Sequence, residues 1–284
     1  MKSDKLKGYL ILFITAAIWG SGFVPQKIAA ETISPYAFNG LRYALGAFLI
    51  FLLAKCRLPF RDPNGKWALL AGVVLSGAAL LQQIGIMTAS VTNTAFITAT
   101  YIVLVPFLSG LILHKPVPKV CYAAAVLALV GLYLLSTAGK GLDTISGGDI
   151  IVFIGSLFWS FHIMVVEKGM SEEGDPVRFS AGQFTVAALI QLLIWVFADH
   201  CALTLTKENA LMIAYSGIFV IGIAFTLQAV GQRSVQGSAA SIILGLESVF
   251  GTLFGVLLYH ETVLPLQILG AALIFAAVIL VVRE

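Results

Sequence analysis

Three ionisable side chains lie well inside long apolar stretches of this sequence: Arg42, His162 and Glu247. A charge in hydrocarbon is costly, so such residues pair with one another, line water or bind a ligand. The Arg42 guanidinium stays charged and must find an anion. That anion is either a carboxylate or phosphate on a substrate, or Glu247, in a fixed pair tying distant parts of the chain together. Glu247 is the only carboxylate near the middle of an apolar stretch. Unpaired, it could carry a coupling proton; paired with Arg42, it is a structural or gating bridge. His162 is either a hydrogen-bonded packing residue or a proton site. Uncharged polar companions in the same stretches are Gln82, Gln83, Thr98, Tyr101, Gln183, Gln228 and Gln232.

The elements that carry these residues follow from composition. Of 284 residues, 59% are hydrophobic and only 11% charged, against roughly 25% charged in a soluble domain. Mean hydropathy is +0.98. A soluble enzyme, a disordered chain, a coiled coil and a disulfide scaffold are all excluded, and lipid must be the solvent over most of the length. The net charge of +3 is too small to indicate a nucleic-acid partner, and the three cysteines have no metal-ligand or framework spacing. No P-loop, HExxH or cysteine cluster is present, so neither a cofactor nor a metal is expected, and transport through this chain would draw on a gradient.

A spanning helix takes about 20 apolar residues, and ten of them fit the length. The apolar runs predict spans over 8–29, 35–54, 66–88, 94–113, 119–137, 149–168, 177–198, 209–230, 238–259 and 265–282. Ser34-Pro35, Pro59 with Pro63, Pro116 with Pro118, Gly147-Gly148, Gly174-Asp175-Pro176 and Pro265 separate them. The basic start Met1–Lys7 reads as the flank of an uncleaved first span rather than a signal peptide. With the N-terminus inside, 13 of the 17 Lys and Arg fall in inner segments, which predicts both termini cytoplasmic and an even number of spans.

The sequence also repeats. Trp19 in Ala17-Ile18-Trp19-Gly20-Ser21 corresponds to Trp159 in Leu157-Phe158-Trp159-Ser160-Phe161. Ser34-Pro35 corresponds to Asp175-Pro176, and His114-Lys115 to His260-Glu261. The offsets run from 140 to 146, about half the chain. Five spans per half is an odd number, so the halves must sit oppositely in the membrane, as in carriers whose two halves rock about a central site. Trp19 and Trp159 lie mid-span, away from the interfacial belt that tryptophan prefers, and read as cavity lining or helix packing. Pro25 and Pro106 introduce kinks, and Gly251–Gly255 forms a GxxxG pattern that permits close helix approach, within the chain or in a homodimer. Two other classes are open on residues alone. Gly20-Ser21-Gly22 with His162 caricatures an intramembrane serine protease dyad, although that reading leaves the repeat unexplained. A passive channel would need a continuous polar lining, and the spans are mostly apolar.

At these residues the chain resembles the EamA family of the drug/metabolite transporter superfamily. The likeness rests on Ala17–Phe23, Ser34-Pro35 with Leu41-Arg42-Tyr43, Gly148-Asp149 leading to Phe158-Trp159-Ser160, Leu246–Val249, His260-Glu261 and Gln267–Ala271. It implies an all-α membrane protein of ten helices in two inverted five-helix repeats, 1–143 and 144–284. It further implies an alternating-access carrier, often an exporter of amino acids and related compounds. Its partners would be a small-molecule substrate and the bilayer, as monomer or homodimer in a bacterial inner membrane. Carried over, the central cavity would be lined by Trp19, Gln83, Tyr101, Trp159, Gln228 and Glu247, with Arg42 as a further substrate contact and Glu247 and His162 as coupling or gating candidates. Ser248 stands where the family usually has proline, which implies a less kinked ninth span. Tryptophans, tyrosines and glutamines suit a small amphipathic solute, whereas a sugar phosphate would want more cations than Arg42.

Overall fold

A computed structural model describes residues 2–89, 91–141, 145–170, 174–200, 203, 205–259 and 262–283. The junction drawn at 143/144 and the His260-Glu261 motif lie outside the described residues. Within them the chain is all helix. Nine helices are long and apolar enough to cross a membrane, and Phe96–Ile112 is a shorter apolar one. The elements are α1 (Lys2–Thr32), α2 (Pro35–Leu53), α3 (Gly65–Gly85), α4 (Val91–Thr98), α5 (Tyr101–Ile112), α6 (Lys119–Thr137), α7 (Gly147–Met170), α8 (Pro176–Asp199), α9 (Lys207–Tyr215), α10 (Phe225–Gln232), α11 (Gly237–Leu244), α12 (Glu247–Tyr259) and α13 (Pro265–Val282). A π-helical stretch, Ser216–Ala224, joins α9 to α10.

The Ser34-Pro35 and Asp175-Pro176 dipeptides start helices as the sequence predicts. Ser34 Oγ caps α2 by accepting from Ala37 N at 3.1 Å. Asp175 Oδ1 caps α8 by accepting from Val177 N at 2.9 Å. Proline follows each cap, where its missing N–H costs nothing. These two helices pack together and are fastened at both ends. Arg178 at the start of α8 bonds Asp62 beyond the end of α2, at 2.9 Å. Ser34 at the start of α2 donates to Asp199 at the end of α8.

Two spans predicted as single helices are interrupted, and a third changes its winding. The fourth breaks at Ala99-Thr100, between α4 and α5, and the ninth at Gly245-Leu246, between α11 and α12. At both breaks the backbone tightens to i→i−3 bonds: Ile102 N to Ala99 O at 3.0 Å, and Ser248 N to Gly245 O at 3.2 Å. The ninth span is therefore interrupted without a proline at 248. Gly245 has low helix propensity, and a Cβ there would fall 2.8 Å from Ile102 Cγ1, so the two breaks abut each other. The eighth span widens to a π-helix where Gly217 meets the Arg42 carbonyl and Gly46 meets Ile221.

Glycines set the closest helix approaches. A Cβ on Gly131 of α6 would lie 2.6 Å from the Gly270 carbonyl oxygen of α13, and one on Gly270 2.5 Å from the Gly131 carbonyl. Gly20 of α1 sits against Glu247 O and Gly251 N of α12, which places the Gly251 half of the GxxxG pattern in packing within the chain. One end of the bundle gathers Asp62–Arg178, the Lys115–Glu167 ion pair at 3.1 Å, and Trp67 beneath Lys66 and Lys168. The other end holds Ser34–Asp199 and Thr32 donating to Asn209 at 2.7 Å.

Because the α6–α13 crossing leaves no room for a side chain, Gly131→Ala should destabilise the fold by about 1–3 kcal/mol. Thermal unfolding in detergent should show a lowered midpoint. Gly147→Ala, with nothing within 4 Å of the new methyl, should unfold as the parent does. Equal midpoints for all three proteins would refute the described crossing.

Candidate functional site

A cavity lies among α1, α2, α3, α7, the π-helical stretch with α10, and the interrupted fourth and ninth spans. The breaks bring Tyr101 and Glu247, the first residues of α5 and α12, into its wall. They are 146 residues apart, within the range of the sequence repeat. Discontinuous helices at matching positions in two halves mark the binding site in repeat-built carriers.

One wall is aromatic. Trp19 from α1 and Trp159 from α7 both contact Phe225 of α10, with ring centroids 4.7 and 5.9 Å away, the second pair stacked at 16°. Such pairs contribute about 0.5–1.5 kcal/mol beyond their buried area. Trp159 Nε1 donates to Gln82 Oε1 at 3.1 Å. Trp19 Nε1 is buried with no hydrogen-bond partner among the described residues. Phe23, Ile163, Val220 and Ile221 extend the apolar surface, and Gln26 and Thr98 add polar edges.

The opposite character comes from two buried ionisable side chains. Arg42 is 4% exposed and Glu247 6%, and both line the cavity. Among the described residues they form no ion pair with each other. Arg42 Nε donates to Asn39 Oδ1 at 3.0 Å, and its guanidinium carbon lies 4.7 Å from the Phe38 ring centroid and 5.5 Å from that of Tyr43. Glu247 Oε1 accepts from the Tyr101 hydroxyl at 2.8 Å. Each charge is thus held by one neutral partner and keeps hydrogen-bonding capacity to spare. The site can receive an anionic group at Arg42, a cationic or donor group at Glu247, and an apolar body between them.

The remaining sequence-predicted residues lie behind the wall. Gln83 is buried, with both amide atoms lacking partners among the described residues, while its neighbour Gln82 faces the cavity. Gln228 Nε2 donates to Gln232 Oε1 at 2.9 Å, and Gln232 in turn bonds the Ile163 carbonyl. His162 is fully buried, bonds Gln183 at 2.9 Å and packs edge-on against Trp159 and Phe225. The Ser21 hydroxyl bonds Ile18 O and the Tyr215 hydroxyl, and His162 is committed elsewhere, so no nucleophile–base pair forms. Phe225, Gln26, Ile163, Val220 and Ile221 are wall residues that the sequence reading did not single out, and Phe23 and Tyr43 entered it only within motifs of the family likeness. Gln26 could have been found, as a polar residue one turn from Phe23 on the α1 face that also bears Trp19; Phe225 had no signal, being one apolar residue within an apolar span.

The chain matches known proteins over almost all its length. The profile of the EamA-like transporter family fits residues 6–137 and again 146–283. An uncharacterized transporter of Archaeoglobus fulgidus is 31% identical, over 98% of this chain and 86% of its own. The uncharacterized transporter YwfM of Bacillus subtilis is 26% identical, over 96% of this chain and 92% of its own. The threonine/homoserine exporter RhtA of Escherichia coli is 23% identical, over 94% of this chain and 88% of its own. One crystal structure shares the fold with a TM-score of 0.81, at 17% identity and 96% coverage of both chains. With two matches of the family profile, a relative at this identity and a bundle of membrane-length helices, the chain belongs to the EamA-like transporter family, as a multi-pass membrane protein and not an enzyme.

Proposed function

We propose that the chain carries small zwitterionic, amphipathic metabolites, amino acids or close relatives, out of the cell across a bacterial inner membrane by alternating access. The observation that carries this reading is the pair of unneutralised charges, Arg42 and Glu247, on one cavity. A zwitterion matches it group for group: carboxylate to Arg42, ammonium to Glu247, side chain against Trp19, Phe225 and Trp159. The threonine/homoserine exporter among the relatives supports the same substrate class.

In this reading the ten spans form two inverted five-helix halves, 1–143 and 144–284. The double profile match, the 146-residue offset of the two breaks and the reciprocal fastening of α2 to α8 support it. The basic end, with Lys66, Lys115, Lys168 and Arg178, faces the cytoplasm with both termini. The transporting unit in this reading is one copy of the chain, alone or within a homodimer. Glu167 lies one helical turn beyond Ile163, a wall residue, and pairs with Lys115 at the basic end. In this reading that pair is a closing contact, and it parts in the opposite state.

Purified protein in liposomes loaded with the L-amino acids should show saturable counterflow of a subset of them. Arg42→Ala should weaken apparent affinity for that subset by about 10–100-fold, the worth of a charged hydrogen bond. Glu247→Gln should do the same through the ammonium. Full activity in folded Arg42→Ala protein would sink the zwitterion reading, and unsaturable flux would make the protein a channel. A cysteine pair tests the closing step. With Cys56, Cys121 and Cys201 replaced by serine, bridging Lys115→Cys/Glu167→Cys with a bis-methanethiosulfonate reagent should stop counterflow, and reduction should restore it. Undiminished exchange with the bridge formed would rule out opening at this point.

A further inference from the structure

We propose that Asn39 is a positioning residue for substrate recognition: it turns the Arg42 guanidinium so that its terminal nitrogens face the cavity, and it does so without neutralising the charge. The inference rests on the carrier reading above and deepens it. Asn39 is fully buried on α2, one helical turn from Arg42. Its Nδ2 donates to the Ala79 carbonyl of α3 at 3.2 Å. That bond fixes the amide's orientation, since only the amide nitrogen can donate to a carbonyl. Oδ1 is thereby left facing Arg42, where it accepts from Nε at 3.0 Å.

The consequence lies in which guanidinium nitrogen is used. Nε takes the Asn39 bond, and the Phe38 ring supports the guanidinium 4.7 Å from its carbon. The Nη1–Nη2 edge has no protein partner among the described residues, and that edge binds a carboxylate with two parallel bonds. A neutral amide is the suitable acceptor here. An acidic residue would satisfy Nε equally well but would pair with the guanidinium, cancelling the attraction a substrate needs. Tyr101 holds Glu247 in the corresponding way, by one neutral hydroxyl.

The test compares two probes on wild-type and variant proteins in liposomes: an equimolar pool of L-amino acids, and the same amino acids as α-carboxamides, which keep the ammonium and lose the carboxylate charge. Wild type should exchange the acid pool in clear preference. Asn39→Ala should lower that preference about tenfold and leave exchange of the carboxamides unchanged, a split that a general packing defect would not produce. Asn39→Asp, of nearly the same shape, covers the case in which the alanine variant fails to fold. It keeps an acceptor at Nε but adds the neutralising charge, so the acid preference should fall again. A folded variant of either kind with the wild-type preference overturns the positioning role. Wild-type protein that does not distinguish acids from carboxamides overturns the carboxylate contact itself, and the proposal with it.

Discussion

The structure depends on keeping two opposite charges apart inside a low-dielectric bundle. Attraction between a buried cation and anion far exceeds its value in water at short range, yet Arg42 and Glu247 line one cavity without pairing among the described residues. A neutral residue holds each. Asn39, held by α3, engages Arg42 from one side, and Tyr101 engages Glu247 from another. These bonds also reduce the cost of burial, since a charge with fixed donors or acceptors is far less penalised than an isolated one. A site with stable unspent charge follows, and the rest of the fold supplies the rigid positions that make it possible.

Rigidity at that level explains the glycines and the interruptions together. The α6–α13 and α1–α12 crossings are close enough that a methyl group on Gly131, Gly270 or Gly20 would strike backbone. Dispersion contacts at such distances are what hold helices together in lipid, where hydrophobic burial between helices contributes little. Against this framework the breaks at Ala99-Thr100 and Gly245-Leu246 interrupt two spans beside the cavity. Each break makes the next residue, Tyr101 or Glu247, the first of a new helix. Irregular backbone is tolerated at this depth where it lines a cavity or is covered by protein, and both conditions hold here.

Much of this was legible in the sequence, for identifiable reasons. Spans follow from apolar length and proline boundaries, and Ser34-Pro35 and Asp175-Pro176 announced two helix starts. Trp19, Arg42, Tyr101, Trp159 and Glu247 stood out because each is unusual at its depth or matched across the offset, and all five line the cavity. What stayed hidden depends on helix phase. Gln82 and Gln83 are about 100° apart around α3, and pattern alone does not say which faces inward. Phe225 carries no polar mark, and the π-helical winding before it alters the phase of the eighth span. Asn39 escaped notice because its role is to orient another residue, and such a role is visible only once Ala79 and Arg42 are seen on either side of it.

The charge balance of the cavity limits what can be carried. One guanidinium and one carboxylate sum to zero, and no further charged side chain lines the wall among the described residues. A solute of net charge two would bring an uncompensated charge into the bundle, at a desolvation cost of several kcal/mol per ion. A wholly apolar solute would leave both side chains without the partners that water gives them when the cavity is open. A solute with one positive group, one negative group and an apolar remainder incurs neither penalty. Under the proposed function, selectivity of this kind needs no tight fit to one side chain: the aromatic wall would accept several amino acids while the two charges accept only the backbone they share.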